Sequence, residues 1–197
     1  MTDGLDQAKR ALRAELRERR QQLSDAQREA AAEGIRAQLE ALVASLGARS
    51  VSCFLSSPTE PGTRPFINAA IDRGVRVLLP VMREDGLLDW TVASPGGEEV
   101  QSALGVPEAV GELLGPIAAG DVDLMIVPAA AVDRGGMRMG WGRGFFDKTL
   151  GSMARRPPVY AVIYDSELVD SVPQDVHDQP VTGVVTPTRT LTLPADH

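Results

Sequence analysis

The stretch "DLMIVPAAAVDRGGMRMGWGRGFFD", residues 123–147, decides how this sequence reads. It opens with an almost wholly apolar run, 123–132, which suits a strand covered on both faces and its exit. Glycines then fall at 140, 142 and 144, two phenylalanines follow, and the stretch closes on Asp147. A helix is expected to start near Phe145. A buried strand that leaves through a glycine loop into a helix is a unit of an α/β fold.

The flanking sequence repeats the theme. "VSCFLS" (51–56), "VRVLLP" (76–81) and "VYAVIY" (159–164) are short runs, nearly all apolar, while "LLDWTVA" (87–93) alternates and reads as a more peripheral strand. One or two short strands are expected in 180–193. Residues 4–23 place Leu5, Ala8, Leu12, Leu16 and Leu23 at three- and four-residue steps, as a helix does. Ser24 with Gln27 reads as a capping box that opens a second helix. That helix carries Ile35, Leu39, Leu42, Val43 and Leu46 on one side and stops at Gly47. A further helix follows the prolines of 61–74, and 94–120 reads mostly as loop. The pattern predicts an α/β fold around a mainly parallel sheet, with ligands beyond the carboxyl ends of the strands.

Composition narrows the function. The 197 residues carry a net charge of −7, which argues against a nucleic-acid partner but leaves room for a local basic site. Aromatics are scarce at 4%, so the core rests on Ala, Val, Leu and Ile. The lone Cys53 excludes an internal disulfide and reads as a buried, inert thiol. The N-terminus is charged throughout, and no apolar run reaches the ~18 residues of a spanning helix. A cytoplasmic protein with no membrane partner is expected, built as one domain over 1–197.

The glycine stretch can form a concave nest of backbone N–H groups, and a helix starting behind it adds its positive end. Arg138 and Arg143 bring full charges suited to phosphate oxygens. Asp147 repels phosphate and makes sense if a cation such as Mg²⁺ lies between them. The spacing matches neither the Walker A nor the dinucleotide pattern, and a plain loop before a helix fits it equally. Lys9, Arg13 and Arg17, four residues apart, share one helix face, as a phosphate-gripping stripe or a solvated surface. Glu60 follows the strand 51–56 at its carboxyl end. Asp178 and His177 lie in the turn "PQDVHDQP". No Ser-His-Asp or Cys-His arrangement is visible.

Together, "KRALRAELRERRQQLS", "FLSSPTEPGT", "LGVPEA", the 123–147 stretch and "VPQDVHDQPVTGVVT" resemble, in this order, the 5-formyltetrahydrofolate cyclo-ligase family. The resemblance covers nearly the whole chain. It implies a three-layer α/β sandwich of the sugar-phosphate isomerase and CoA-transferase type. It also implies MgATP-dependent conversion of 5-formyltetrahydrofolate to 5,10-methenyltetrahydrofolate, with the first helix contributing to the ATP site. Nothing in the sequence demands a partner chain, and a monomer is expected.

Residue by residue, the resemblance implies that Lys9 and Arg13 hold ATP phosphates. Arg138, Met139, Gly140, Trp141, Gly142, Arg143, Gly144, Phe145 and Phe146 would form the ATP loop, with Arg143 nearest the transferring phosphoryl group. Asp147 and Asp178 would bind Mg²⁺. Leu55, Glu60, Glu108 and Trp141 would contact the folate. Phe146 stands where the family pattern usually has tyrosine, Ala109 replaces a proline, and Thr186-Pro187 replaces Thr-Glu. These departures keep open a second reading, a folate- or nucleotide-binding relative without turnover. A sugar-phosphate isomerase or CoA-transferase on the same architecture is a third.

Overall fold

The computed structural model of the chain describes residues 2–194. Met1 and residues 195–197, the ends of the expected 1–197 domain, lie outside them.

Helix α1 (Thr2–Gln21) leads into α2 (Asp25–Leu46). The capping box at the start of α2 is formed: Gln27 N–H donates to Ser24 Oγ, and Ser24 N–H donates to the Gln27 side chain. Gly47 closes the helix in the left-handed region at φ 59°, its N–H donating to Ala44 O while the next N–H, of Ala48, donates to Val43 O. Ile35, Leu39 and Leu42 are buried as the spacing requires. Leu46, expected on the same side, is 43% exposed, because the chain turns away at Gly47 directly after it.

The main sheet has seven strands, β1 (Ser50–Ser52), β2 (Arg76–Met82), β3 (Leu88–Val92), β6 (Leu124–Pro128), β9 (Val159–Val162), β11 (Gly183–Val185) and β12 (Thr190–Thr192). Their order is β12-β11-β9-β6-β1-β2-β3. The five inner strands are parallel, and the edges β3 and β12 are antiparallel. Alternate side chains go to opposite faces, as the pleat dictates. Val77, Leu79, Leu124, Ile126 and Val162 meet α2 and α3 (Arg64–Asp72). Leu78, Met125, Val127, Val159 and Ala161 meet Leu150 of α4 (Phe145–Ser152) and Ala119 of a 3₁₀ turn at Pro116–Asp121. The result is a three-layer α/β sandwich around a mainly parallel sheet.

Two features were absent from the sequence reading. Within 94–120 lies a hairpin of β4 (Glu99–Gln101) and β5 (Pro107–Ala109). Its three-residue strands bury no strong apolar face, so no alternation announces them. Past β6, strands β7 (Ala131–Asp133) and β8 (Arg138–Met139) form a small sheet with β10 (Leu168–Val169). Asp133 sets the turn between β7 and β8, since its Oδ1 accepts the N–H of Gly135 and Met137. Leu16 of α1 packs on this sheet with Ala130, Ala131, Met139 and Val172. That contact seats α1 beyond the end of β6.

Candidate active site

Strands β1 and β6 are adjacent and parallel, yet the chain reaches them from opposite directions, β1 leading on to β2 and β6 to β9. Such a switch point leaves a crevice at the carboxyl ends. A cavity of about 540 Å³ lies there. Loop 54–60 after β1, the glycine loop, α1 and the β4–β5 hairpin line it.

Each glycine of the loop has its own reason. Gly142 and Gly144 have φ of 97° and 75°, a region side-chain-bearing residues rarely adopt. Gly144 is also the residue from which α4 starts. Gly140 makes room: a Cβ there would lie 3.0 Å from the Arg138 guanidinium. Arg138 is 3% exposed and works as a strut, its Nη1 donating to Pro128 O at 2.9 Å and its Nη2 pairing with Asp147 Oδ1 at 3.0 Å. Phe145 and Phe146 line the cavity while packing on the core behind it. Met139 does not reach the cavity, because its side chain fills the core beneath α1. Arg143 is exposed at the rim and donates from both Nη atoms to Leu104 O at 3.2 Å, tying the loop to the hairpin tip.

Helix α1 brings its cations to this loop. Lys9 is buried and donates to Asp178 Oδ2 at 2.6 Å. Arg13 Nε donates to Gly140 O at 2.8 Å, and the guanidinium packs on Gly142. Burial lowers the Arg13 pKa, opposed chiefly by the charges of Asp178 and Asp6. Arg17 lines the cavity from a more exposed position, 5.5 Å from the Trp141 ring centroid.

On the β1–β2 side, Leu55 and Glu60 line the cavity beside Pro80, Met82 and Leu88. Glu60 Oε2 accepts Ser57 N–H at 2.7 Å, fixing the loop. Glu108 Oε1 accepts Met82 N–H at 3.1 Å, which docks β5 over β2. Trp141 also lines the cavity, beside Arg17 and Arg20.

Sequence reasoning missed Arg20. It is 2% exposed, pairs through two bonds with the equally buried Glu167, and lies 4.9 Å from the Trp141 ring centroid. In sequence it hides in "RERR", which reads as a solvated run; only the 4-3-4 spacing of Lys9, Arg13, Leu16 and Arg20 marks one inward stripe. His177 is exposed in its turn and takes no part.

Asp147 and Asp178 meet at the same wall, Gln179 N–H donating to Asp147 Oδ1 at 3.1 Å. Every hydrogen bond or ion pair to Asp147 is on Oδ1 and every one to Asp178 is on Oδ2, among the described residues. Each carboxylate therefore has one oxygen without a hydrogen-bond partner among the described residues. No cluster of three or more His, Cys, Asp or Glu able to hold a metal forms among the described residues. Two carboxylate oxygens fit Mg²⁺, which commonly takes its other ligands from water and substrate phosphates.

The sequence model of the 5-formyltetrahydrofolate cyclo-ligase family matches residues 5–187. The chain belongs to this family. It is thereby an enzyme of the cyclo-ligase class. The chain is similar to the 5-formyltetrahydrofolate cyclo-ligase of Mycolicibacterium smegmatis, 37% identical over 187 residues, covering 92% of this chain and 95% of the relative. The Escherichia coli cyclo-ligase is 33% identical over 147 residues, covering 72% and 80% of the two chains. The NMR structure of Aquifex aeolicus 5,10-methenyltetrahydrofolate synthetase superposes with a TM-score of 0.79 at 26% identity, over 96% of this chain and 94% of that one. The Mycoplasma pneumoniae synthetase, at TM-score 0.72 and 16% identity over 91% and 98% of the chains, shares the fold. Among the described residues no helix is long and apolar enough to cross a membrane.

Proposed function

We propose that this enzyme converts 5-formyltetrahydrofolate to 5,10-methenyltetrahydrofolate, consuming ATP and releasing ADP and phosphate. One observation carries the reading: a single cavity joins a cationic, glycine-lined wall bearing Asp147 and Asp178 to a second wall bearing Leu55, Glu60 and Glu108. The first suits a nucleotide's phosphates, and the second suits a flat, donor-rich ring.

An amide oxygen is a poor leaving group, and phosphorylation makes it a good one. The formyl oxygen attacks the γ-phosphorus, and ADP leaves with the electron pair of the broken P–O bond. The formyl carbon is left as an iminium carrying phosphate. The lone pair of the nitrogen at position 10 attacks that carbon, that nitrogen loses its proton, and phosphate departs with the C–O pair. No protein nucleophile is needed. The chain's task is to align two bound molecules and neutralise moving charge.

Lys9, Arg13 and the N–H groups of Gly142 to Phe145 grip the phosphates. Arg143, released from Leu104 O, reaches over the transferring group. Asp147 and Asp178 would hold Mg²⁺, which when bound neutralises phosphate charge. Glu60 accepts hydrogen bonds from the ring's N–H groups, and Trp141 offers apolar surface against it. Phe145 and Phe146 keep water from the reacting atoms.

The test mixes protein, MgATP and 5-formyltetrahydrofolate and follows the near-ultraviolet absorbance of the methenyl product. An ATP-dependent rise is expected. Its absence with folded protein and the correct stereoisomer favours a binding relative without turnover.

A further inference from the structure

Nine buried side-chain polar atoms have no hydrogen-bond partner among the described residues, and three of them gather in one place: Arg20 Nη1, Trp141 Nε1 and the Tyr164 hydroxyl. They are neighbours, the Arg20 guanidinium carbon lying 4.9 Å from the Trp141 ring centroid and 5.6 Å from that of Tyr164. The rest of the Arg20 fork is engaged. Nε donates to Glu167 Oε1 at 2.7 Å, and Nη2 donates to Glu167 Oε2 at 2.8 Å and to Ala129 O at 2.9 Å. Only Nη1 remains, on a side chain that is 2% exposed and yet lines the cavity with Trp141.

Buried donors without an acceptor are rare, because each has given up water for nothing. Guanidinium and indole nitrogens can only donate, so whatever completes this cluster must be an acceptor. Glu60 lines the same cavity and, when ionised, can only accept. The one cavity thus holds both a donor group and an acceptor. A pterin lactam edge has the matching order, a carbonyl oxygen beside an N–H and an amino group.

We propose that Arg20 Nη1, with Trp141 Nε1 beside it, is the subsite for the 4-oxo carbonyl of the substrate's pterin ring, while Glu60 takes the adjacent N–H and amino groups. This rests on the folate reading above. It makes Arg20 a substrate-binding, specificity-determining residue. A 4-amino group in place of the carbonyl would set donor against donor.

The test compares equilibrium binding of 5-formyltetrahydrofolate and its 4-amino counterpart to the wild type and to Arg20→Lys, by calorimetry. The wild type is expected to prefer the 4-oxo ligand by about 10- to 100-fold. Lysine keeps a cation beside Glu167 but lacks the fork, so the preference should shrink to about threefold or less, through weaker binding of the 4-oxo ligand alone. If the lysine variant does not fold, Arg20→Met combined with Glu167→Met removes both buried charges and should give the same loss of preference. Equal weakening of both ligands in the variants would reduce Arg20 to a structural strut and overturn the subsite. Wild-type turnover, followed in parallel, separates the two claims. Turnover with equal wild-type affinities sinks the subsite alone, and binding of neither ligand sinks the functional reading with it.

Discussion

Lys9 and Asp178 lie 169 residues apart in the chain and meet at 2.6 Å, both largely buried. Arg138 and Asp147 form a matching pair at 3.0 Å. Each acid proposed for the metal is thus neutralised by a cation of the phosphate wall. On the proposed reading, Mg²⁺ entering with ATP would let Lys9 turn from Asp178 to phosphate, while Arg138 stays in place as the strut beside Asp147. The two ion pairs tie this wall together.

Asp147→Asn tests the metal role directly. The rate should fall by at least about tenfold, with the Mg²⁺ midpoint raised in a titration at fixed ATP. The melting temperature should fall modestly, because the amide oxygen can still accept from Gln179 N–H and Arg138 but no longer offsets the buried guanidinium charge. Unchanged kinetics would return Asp147 to a role at the start of α4.

Glu60→Gln should raise the KM for 5-formyltetrahydrofolate by about 10- to 100-fold, since a charged acceptor becomes neutral and presents a donor. The KM for ATP should stay put. A variant impaired only toward ATP contradicts the division of the cavity.

Arg143→Met is expected to lower kcat by about 100-fold with little change in the KM for ATP, as for a charge acting mainly on the transferring group. Initial rates over a grid of both substrates give the split. A rise in KM with kcat intact would limit Arg143 to binding and to holding the hairpin through Leu104.

Glu167→Ala leaves the Arg20 guanidinium buried and unpaired, and should cost about 3–5 kcal/mol of stability. Urea denaturation measures it. A loss near zero would mean that water reaches Arg20.

Cys53 gives a pH handle on folding. Burial pushes its thiol up to about 12, so the native protein keeps it protonated. A folded pKa above the unfolded one favours the fold below the unfolded value. That contribution is lost as pH rises toward 12, so this group lowers stability progressively above about pH 9. At pH 8 an alkylating reagent should label the native chain only through unfolding, and addition of urea should abolish the protection. Rapid labelling without urea refutes the burial.

Sequence by itself determined the local elements whose signals are short-range. The Ser24–Gln27 box, the Gly47 stop, the apolar strands and the glycine turn into α4 were all legible, because caps, left-handed glycines and two-face burial leave residue-type signatures within a few positions. The β4–β5 hairpin and the small β7–β8–β10 sheet were not, since two- and three-residue strands carry too little pattern. For the cavity, composition showed which residues could grip phosphate but not what they touch. Tertiary structure alone decided that Lys9 faces Asp178 and that Arg138 is a strut. It also turned Met139 into the core and enclosed Arg20, from a run that reads as solvated, between two aromatic rings with one donor free. Those outcomes depend on strand order and on the seating of α1 beyond β6, where packing of Leu16, rather than any local preference of the basic residues, fixes which charges are buried.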